Sequence, residues 1–235
     1  MKTLSIIIPC YNEAATIAAV IKAVKKADSL GLKKEIIVVD DKSRDGSNKI
    51  LKKLARRKEI VLIAHKRNEG KGKSVKDGIL KSSGEIVLIQ DADLEYDPAD
   101  YPLLIKPIID NRADVVYGSR FVGGSPHRVV YFWHFVMNRI LTTFSNMLTN
   151  INLTDMETCY KAFRGDLARK VAAKLKSKRF GFEPEITAKI AKIKNARIYE
   201  VGVSYFGRTY KEGKHIKWID GAKAVWEVIR FNLFE

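Results

Sequence analysis

The chain has 235 residues, of which 46% are hydrophobic and 30% are charged, and its formal net charge is +16 at pH 7. This composition excludes general disorder and is sufficient for the core of one large domain. The positive charge favours an anionic partner, which could be nucleic acid, a phosphorylated substrate or an anionic membrane face. A solvated lysine-rich surface would explain the same charge.

Cysteine and targeting patterns narrow the class of protein further. Cys10 and Cys159 have no metal-ligand spacing, and they do not indicate a disulfide framework. The first residues lack a signal-peptide pattern, because the apolar run after Lys2 ends at Pro9. No segment approaches the roughly 20 apolar residues that a membrane-spanning helix needs. We therefore expect a cytoplasmic protein that is soluble or peripheral to a membrane.

In the first half of the chain, short apolar segments alternate with segments of helical periodicity. Short apolar runs predict strands at residues 4–8, 35–39, 60–63, 86–89 and 115–117. Helices are predicted at residues 17–24, after Ser47 as N-cap, at residues 73–81, and from Asp97-Pro98 onward. Strands that alternate with helices predict an α/β fold with a mostly parallel sheet and right-handed crossovers.

The second half of the chain has a different character. Residues 129–150 read as one helix rich in aromatic residues and methionine, and residues 222–234 as an amphipathic C-terminal helix with a wide apolar face. Packing on the sheet is the more common explanation for such faces, and contact with a membrane interface is the alternative. Since no repeat or low-complexity linker divides the chain, we expect a single domain over residues 1–235.

Polar clusters follow three of the predicted strands. They are Asn12-Glu13, Asp40-Asp41 and Asp91-Ala92-Asp93. Ligands of open α/β sheets bind at the carboxyl ends of the strands, so one shared crevice would explain all three clusters. Paired carboxylates are hard ligands for Mg²⁺ or Mn²⁺, which usually also bind substrate phosphates. A simple Asp-rich turn is the competing explanation for Asp91 and Asp93 taken alone.

Four linked motifs carry a family resemblance. Residues 7–13 (IIPCYNE), 38–46 (VVDDKSRDG), 68–72 (NEGKG) and 91–93 (DAD) resemble the family-2 inverting glycosyltransferases of the GT-A fold. Residues 118–120 (GSR), 154–164 (TDMETCYKAFR) and 208–214 (RTYKEGK) are similar to the polyisoprenyl-phosphate glycosyltransferases, which include dolichyl-phosphate mannose and glucose synthases. The resemblance implies one GT-A domain with a nucleotide-sugar-binding half (1–120) and an acceptor-binding half (121–235).

The resemblance also implies roles for individual residues. Nucleotide-sugar binding is implied for Pro9, Tyr11, Glu13, Asp40, Asn68, Lys71, Gln90, Asp91, Ala92, Arg208 and Lys214. Asp91 and Asp93 are the implied metal ligands, and Asp155, Asp93 and Arg120 are the implied catalytic residues. Structural explanations compete at several positions: strand termination at Pro9, a buried structural amide at Gln90, and a solvated loop at Arg208 and Lys214.

The implied activity is a metal-dependent, inverting transfer of a hexose from a UDP- or GDP-sugar to a polyisoprenyl phosphate. Similarity of residues 155–164 to glucose-type relatives favours a UDP-sugar. A phosphate monoester has a second pKa of roughly 6, so this acceptor hardly needs a general base. A saccharide or glycolipid hydroxyl acceptor would need one, and Asp155 is then preferred over Glu157.

Two further alternatives remain open at this stage. A basic nucleic-acid-binding module fits the charge, but the acidic strand ends would repel a phosphate backbone, so no nucleic acid is expected. A nucleotidyltransferase would share the sheet architecture. For the enzyme, the net charge predicts peripheral attachment to the cytoplasmic face of an anionic membrane, through Lys and Arg side chains and the regions of Trp133 and Trp226.

Overall fold

The computed structural model describes residues 2–123, 128–129, 131–179, 181–207 and 218–235, except the side chains of residues 218–222. The described strands are β1 (Thr3–Cys10), β2 (Lys33–Asp40), β3 (Val61–Ala64), β4 (Ile86–Ile89), β5 (Val115–Ser119), β6 (Lys161–Arg164) and β7 (Ile198–Gly202). The described α-helices are α1 (Ile17–Lys26), α2 (Ser47–Arg56), α3 (Lys71–Lys81), α4 (Tyr101–Ile109), α5 (Phe132–Thr149), α6 (Gly165–Lys174), α7 (Phe182–Ala191) and α8 (Trp218–Ile229).

The seven strands form one sheet in the order β3-β2-β1-β4-β6-β5-β7. β6 is antiparallel to both of its neighbours, β4 and β5, and the remaining pairs are parallel. The predicted single α/β domain with a mostly parallel sheet is therefore confirmed. β6 and β7 were not predicted, because neither segment carries a long apolar run: β6 reads Lys-Ala-Phe-Arg and β7 reads Ile-Tyr-Glu-Val-Gly.

The core lies on the central strands, whose residues are buried on both faces of the sheet. Ile6, Ile7 and Ile8 of β1 are fully buried, as are most residues of β2 and β4. α3 packs closely on β1, and a Cβ added at Gly78 would lie 2.4 Å from Cγ2 of Ile7. Continuous apolar runs are what strands covered by helices on both sides require.

Several predicted helix starts differ from the structure: α3 begins at Lys71 rather than at residue 73, and α8 at Trp218 rather than at residue 222. Gly46, with φ of +107°, occupies the cap position of α2, so the prediction of Ser47 as N-cap was wrong by one residue. The Ser47 hydroxyl instead accepts the backbone N–H of Glu13 and donates to the carboxylate of Asp45. α5 begins at Phe132 rather than at residue 129. The predicted start at Asp97-Pro98 is confirmed: the Asp97 side chain accepts the N–H of Ala99 at the start of a short 3-10 turn.

The C-terminal helix is amphipathic, as predicted, and is followed by a π-helical turn, Arg230–Phe234. Val228 packs with Leu141 of α5 and Met156 in a small apolar cluster separate from the main core. Among the described residues, no helix is both long enough and apolar enough to cross a membrane.

Candidate active site

The sheet brings the predicted motifs to one edge. The parallel register pairs Cys10 at the end of β1 with Asp40 at the end of β2, and Ile7 with Ile89 at the end of β4. The polar residues that follow β1, β2 and β4 therefore lie next to each other at the carboxyl edge. The strand-end clusters thus meet at one edge of the sheet, as the expectation of a shared ligand crevice requires.

The residues predicted to hold the nucleoside follow β1 and β2. Pro9 lies in β1, and the Tyr11 side chain is exposed where a base could stack. Thr16 donates to a carboxylate oxygen of Glu13 at 2.8 Å and lies 2.9 Å from the carbonyl oxygen of Ala92, which links this region to the Asp91–Asp93 segment. The buried carboxylate of Asp40 accepts from the backbone N–H of Ser43 and from the side-chain amide of Asn48.

The loop that precedes α3 is organised by a residue outside the predicted set, Asp41. Its buried carboxylate accepts the backbone N–H groups of Glu69 and Gly70, each at 2.7 Å. Gly70 has φ of +96°, and a Cβ there would lie 2.3 Å from the carbonyl oxygen of Lys178, so only glycine fits this position. The loop therefore has a fixed shape, with Asn68 beside the backbone of Asp41 at 3.4 Å.

His65 supports Asp41 from behind. Its Nδ1 lies 2.7 Å from Oδ1 of Asp41, and its Nε2 lies 3.1 Å from Oδ2 of Asp77. Lys73 in turn contacts both carboxylate oxygens of Asp77, at 2.5 and 2.7 Å. This row of side chains connects the loop of residues 68–70, called the donor loop below, to the first turns of α3. Sequence reasoning missed it, although the second aspartate of the pair Asp40-Asp41 was a visible signal.

Lys71 and Asp91 form the ion pair between the donor loop and the end of β4. Lys71 Nζ lies 2.8 Å from Oδ1 of Asp91 and 3.9 Å from a carboxylate oxygen of Glu183. Burial would raise the pKa of the Asp91 carboxyl, but the Lys71 ammonium and a hydrogen bond from Cys159 outweigh it and lower that pKa. Asp91 is therefore ionised at neutral pH.

The paired aspartates fit a divalent cation in their donor chemistry. Asp93 is mostly buried, and its Oδ1 accepts the backbone N–H of Glu95 at 3.1 Å. Within the described ranges, no cluster of three or more His, Cys, Asp or Glu side chains could hold a metal ion. Mg²⁺ commonly binds through one or two carboxylates together with substrate phosphates, so Asp91 and Asp93 suffice for such a mode.

The side chain of Gln90, the residue after β4, lies in the protein interior rather than at the ligand edge of the sheet. Its side chain is fully buried, and its Oε1 accepts the hydroxyl groups of Tyr101 and Tyr160, at 2.9 and 2.7 Å. Its Nε2 donates to the backbone carbonyl of Asp91. These contacts favour the structural explanation for Gln90 that the sequence left open.

Arg120 and Asp155 meet at the end of β5. Nε and Nη2 of Arg120 each donate to the Asp155 carboxylate at 2.7 Å, and the backbone N–H of Arg120 donates to it as well. Asn138 of α5 supplies a fourth donor. Burial would raise the pKa of Asp155, but Arg120 outweighs it and lowers that pKa. A buried carboxylate with four donors and a lowered pKa is poorly suited to accept a proton from a substrate.

A buried lysine lies between the end of β4 and the end of β5. Lys161, the first residue of β6, is fully buried and donates to the carboxylate of Glu183 and to the carbonyl oxygen of Thr158. Sequence reasoning missed both residues, because nothing in the sequence alone pairs Lys161 with Glu183. Two other predicted donor-binding residues, Arg208 and Lys214, lie outside the described residues.

Comparison with solved structures agrees with this architecture. The chain superposes on glucosyl-3-phosphoglycerate synthase from Mycobacterium tuberculosis, crystallised with Mn²⁺, uridine diphosphate and glucosyl-3-phosphoglycerate, with a TM-score of 0.72 and 19% identity over 98% of this chain and 80% of that one. At this identity the likeness concerns the fold, which is the GT-A fold of glycosyltransferases.

Sequence comparisons give the family. The family model described as "Glycosyl transferase family 2" matches residues 5–172, and the chain belongs to that family. It is 28% identical to an undecaprenyl-phosphate mannosyltransferase from Micrococcus luteus, over 97% of this chain and 93% of that protein. It is 32% identical to a dolichol-phosphate mannosyltransferase from Pyrococcus furiosus over 120 residues, which are 51% of this chain and 34% of that protein. The predicted enzyme class, a glycosyltransferase, is thereby confirmed.

Proposed function

We propose that this glycosyltransferase moves a hexose from a nucleotide-diphospho-sugar to a polyisoprenyl phosphate, with inversion at the anomeric carbon and with Mg²⁺ or Mn²⁺ as cofactor. One observation carries the proposal. The carboxylates of Asp91 and Asp93 at the end of β4 and the guanidinium of Arg120 at the end of β5 flank the start of β6 at the same sheet edge. An anionic donor and an anionic acceptor could therefore meet between them.

On the donor side, residues 1–120 supply the groups that hold the nucleotide sugar. The nucleoside would lie against Pro9, Tyr11, Glu13 and Asp40, and the diphosphate beside the loop from Asn68 to Lys71. Asp91 and Asp93 would hold the divalent cation, which would supply positive charge to offset the charge on the leaving nucleoside diphosphate. The ammonium of Lys71, already paired with Asp91, would contribute to the same neutralisation.

On the acceptor side, residues 121–235 pack around Arg120 and Asp155. A phosphate monoester is largely dianionic near neutral pH, so it can attack the anomeric carbon without losing a proton to the enzyme. The four donors on Asp155 support this acceptor class, because a hydroxyl acceptor would need a carboxylate free to accept its proton. We accordingly assign Asp155 the role of holding Arg120, whose planar fork suits a phosphate.

Three alternative functions have less support than this proposal. A saccharide or glycolipid hydroxyl as acceptor is the alternative enzyme function, and transfer of the hexose to an added hydroxyl acceptor in preference to the isoprenyl phosphate would support it. A nucleotidyltransferase would instead release pyrophosphate and give a nucleotidylated product. Nucleic-acid binding has the least support, because the chain belongs to a glycosyltransferase family.

The assay uses the purified chain, Mg²⁺ or Mn²⁺, a short isoprenyl phosphate, and UDP- and GDP-hexoses in parallel. We expect a hexosyl phosphodiester of the isoprenol with inverted anomeric configuration, which NMR coupling constants would establish. The UDP-sugars are the preferred donors. A product with retained configuration, or full turnover in excess chelator, would contradict the proposal.

We also propose that the enzyme lies on the cytoplasmic face of an anionic membrane. α5 and α8 pack against each other, and both present exposed aromatic side chains: Trp133 is 72% exposed and Trp226 is 57% exposed. Phe132 of α5 and Phe234 of the π-helical turn after α8 are also exposed. Exposed apolar patches of this kind mark interaction sites, and basic residues near an anionic leaflet contribute about 1 kcal/mol each.

Vesicle flotation tests this attachment. We expect the wild type to float with vesicles that contain anionic lipid, less so at high salt, and the double variant W133S/W226S to bind about 10-fold more weakly. The matched control is L30S/L103S, which removes two exposed apolar side chains far from both helices in sequence. Flotation that does not depend on anionic lipid, or equal losses in both double variants, would contradict the attachment.

A further inference from the structure

Glu157 lies between the two halves of the crevice. Lys161, at the start of β6, pairs with Ile89 of β4 and with Tyr117 of β5, so the residues just before β6 cross the ligand edge between those strands. Two positions before Glu157, Asp155 is bonded to Arg120. Two positions after it, Cys159 is hydrogen-bonded to Asp91. Glu157 therefore lies midway between Asp155, which binds Arg120, and Cys159, which is hydrogen-bonded to Asp91.

The carboxyl group of Glu157 differs from its acidic neighbours in its bonding. Its Oε1 is buried and has no hydrogen-bond partner among the described residues. Asp155 accepts four hydrogen bonds, and Glu183 accepts one from Lys161. A buried carboxylate oxygen without a donor is costly, so the ionised form of Glu157 is disfavoured. The group is placed for a partner that the described residues do not provide.

The surrounding charges act in both directions. The carboxylates of Glu183 on α7 and of Asp155 on the same segment oppose ionisation of Glu157, whereas Lys161 of β6 and Arg120 after β5 favour it. Burial is the largest effect, and together these groups raise the pKa of Glu157 to about 7. An anionic phosphate brought close to this carboxyl would raise its pKa further, because like charges disfavour each other.

We propose that Glu157 binds the acceptor phosphate as a neutral carboxylic acid, donating a hydrogen bond from its carboxyl group to a phosphate oxygen. The inference rests on the proposed function, in which the acceptor is an isoprenyl phosphate. The proton comes from solvent when the acceptor binds, and it stays with Glu157 during transfer. A phosphate oxygen forms the bond to the anomeric carbon while the bond from that carbon to the nucleoside diphosphate breaks.

Three proteins test the assignment: the wild type, Glu157→Gln and Glu157→Ala. Each is assayed with a short isoprenyl phosphate from pH 6 to 8.5, and KM for the acceptor is separated from kcat. We expect the wild-type acceptor KM to rise above pH 7 and that of Glu157→Gln to stay flat, within about 3-fold of the wild-type value at pH 6.5, since an amide also donates. Glu157→Ala should raise that KM by about 10-fold or more at pH 6.5, with the donor KM unchanged. Ionisation of the acceptor itself is common to the three proteins and cancels in their comparison.

Calorimetry gives a second readout that does not depend on turnover or on the alanine variant. Acceptor binding is measured at pH 8 in two buffers of different ionisation enthalpy. The wild type should take up close to one proton, and Glu157→Gln none. Circular dichroism confirms that both proteins are folded.

Three results would overturn the assignment. They are a glutamine variant as impaired as the alanine variant, an alanine variant equal to the wild type, and acceptor binding without proton uptake in the wild type. If the wild type forms no isoprenyl-phosphate product at all, the proposed function itself fails. If it forms the product but the Glu157 variants behave in one of these three ways, only the role of Glu157 fails.

Discussion

Arg120 and Asp155 form a bidentate pair in which two guanidinium nitrogens each lie 2.7 Å from the same carboxylate. Asp155 is fully buried and Arg120 largely so, and the guanidinium also lies over the rings of Phe121 and Tyr205, 5.5 and 5.2 Å from their centroids. The pair holds the guanidinium of Arg120 in a fixed position at the end of β5. The chemistry assigned to the acceptor side depends on this fixed position.

Asp155→Asn should therefore destabilise the protein by about 3 kcal/mol, because it leaves a mostly buried guanidinium without its counter-ion. Urea denaturation measures the change in the free energy of unfolding. Asp110→Asn is the matched control: it breaks the i,i+4 ion pair with the exposed Lys106 on α4 and should cost less than about 0.5 kcal/mol. Equal effects of the two substitutions would contradict the structural role of Asp155.

Asp93→Ala should lower the rate of transfer by about 100-fold or more while the fold persists, because it removes one of the two proposed ligands of the cation. A thermal-shift titration with UDP checks the cause: Mn²⁺ should raise the melting temperature of the nucleotide complex in the wild type and much less in the variant. The exposed Asp166 of α6 provides the control, and Asp166→Asn should change neither quantity. Wild-type turnover in Asp93→Ala would refute the metal-binding role.

His65→Ala should weaken nucleotide binding by about 10-fold, although His65 lies behind the crevice. Its ring contacts the carboxylates of Asp41 and Asp77, and Asp41 holds the backbone of the donor loop. Loss of a hydrogen bond to a charged group costs about 1.5 kcal/mol, which corresponds to that factor. Calorimetric titration with UDP and Mn²⁺ measures it.

The neighbouring exposed residue supplies the control for His65. Lys66→Ala removes an exposed side chain and should leave the affinity unchanged. His65→Gln, whose amide can replace one of the two contacts, should recover part of the loss. If His65→Ala binds the nucleotide as tightly as the wild type, Asp41 holds the loop without help from His65.

Glu157→Gln should stabilise the free protein at high pH. In the unfolded chain Glu157 titrates near its ordinary pKa of 4.5, whereas in the folded protein its pKa is raised to about 7 by burial. Between these values the folded state holds the extra proton, so this contribution to stability is fully present below pH 4.5 and is lost as the pH rises through 7. The side chain is partly exposed, and we expect a difference of about 2 kcal/mol between variant and wild type at pH 8.

Guanidinium denaturation at pH 4.5, 6 and 8 measures this difference. The advantage of Glu157→Gln should be near zero at pH 4.5 and should grow with pH. A difference that is constant across the three pH values would mean that the glutamine acts through packing or a new hydrogen bond. Such a group, which lowers stability at neutral pH, is typical of a site kept for function.

The local sequence was sufficient for the elements that build the donor side. β1, β2 and β4 each contain an uninterrupted apolar run, and the residues that follow these runs are Pro9, Asp40 and Gln90. Because these strands are parallel neighbours, their polar ends converge without any further information. The resemblance to the family motifs then implies which of these polar residues would bind the nucleotide sugar.

The acceptor side could not be derived in the same way, because its order depends on contacts between distant residues. Lys161 is buried in β6 only because Glu183 of α7 neutralises it, and a lysine at a strand start otherwise indicates a solvent-facing position. The sequence makes Asp155 a candidate base, whereas its pairing with Arg120 in the structure disfavours that role. The structural explanation for Gln90 likewise depends on distant residues, because two tyrosine hydroxyl groups donate to its side chain.

The acceptor class is tested most directly by a competition among three acceptors with a single UDP- or GDP-hexose and Mn²⁺. The acceptors are a short isoprenyl phosphate, the corresponding isoprenol, and 3-phosphoglycerate, which presents a hydroxyl group beside its phosphate. The account predicts glycosylation of the isoprenyl phosphate through a phosphate oxygen, at a rate about 100-fold above that of either other acceptor. Preferential glycosylation of a hydroxyl group, on the isoprenol or on phosphoglycerate, would contradict it.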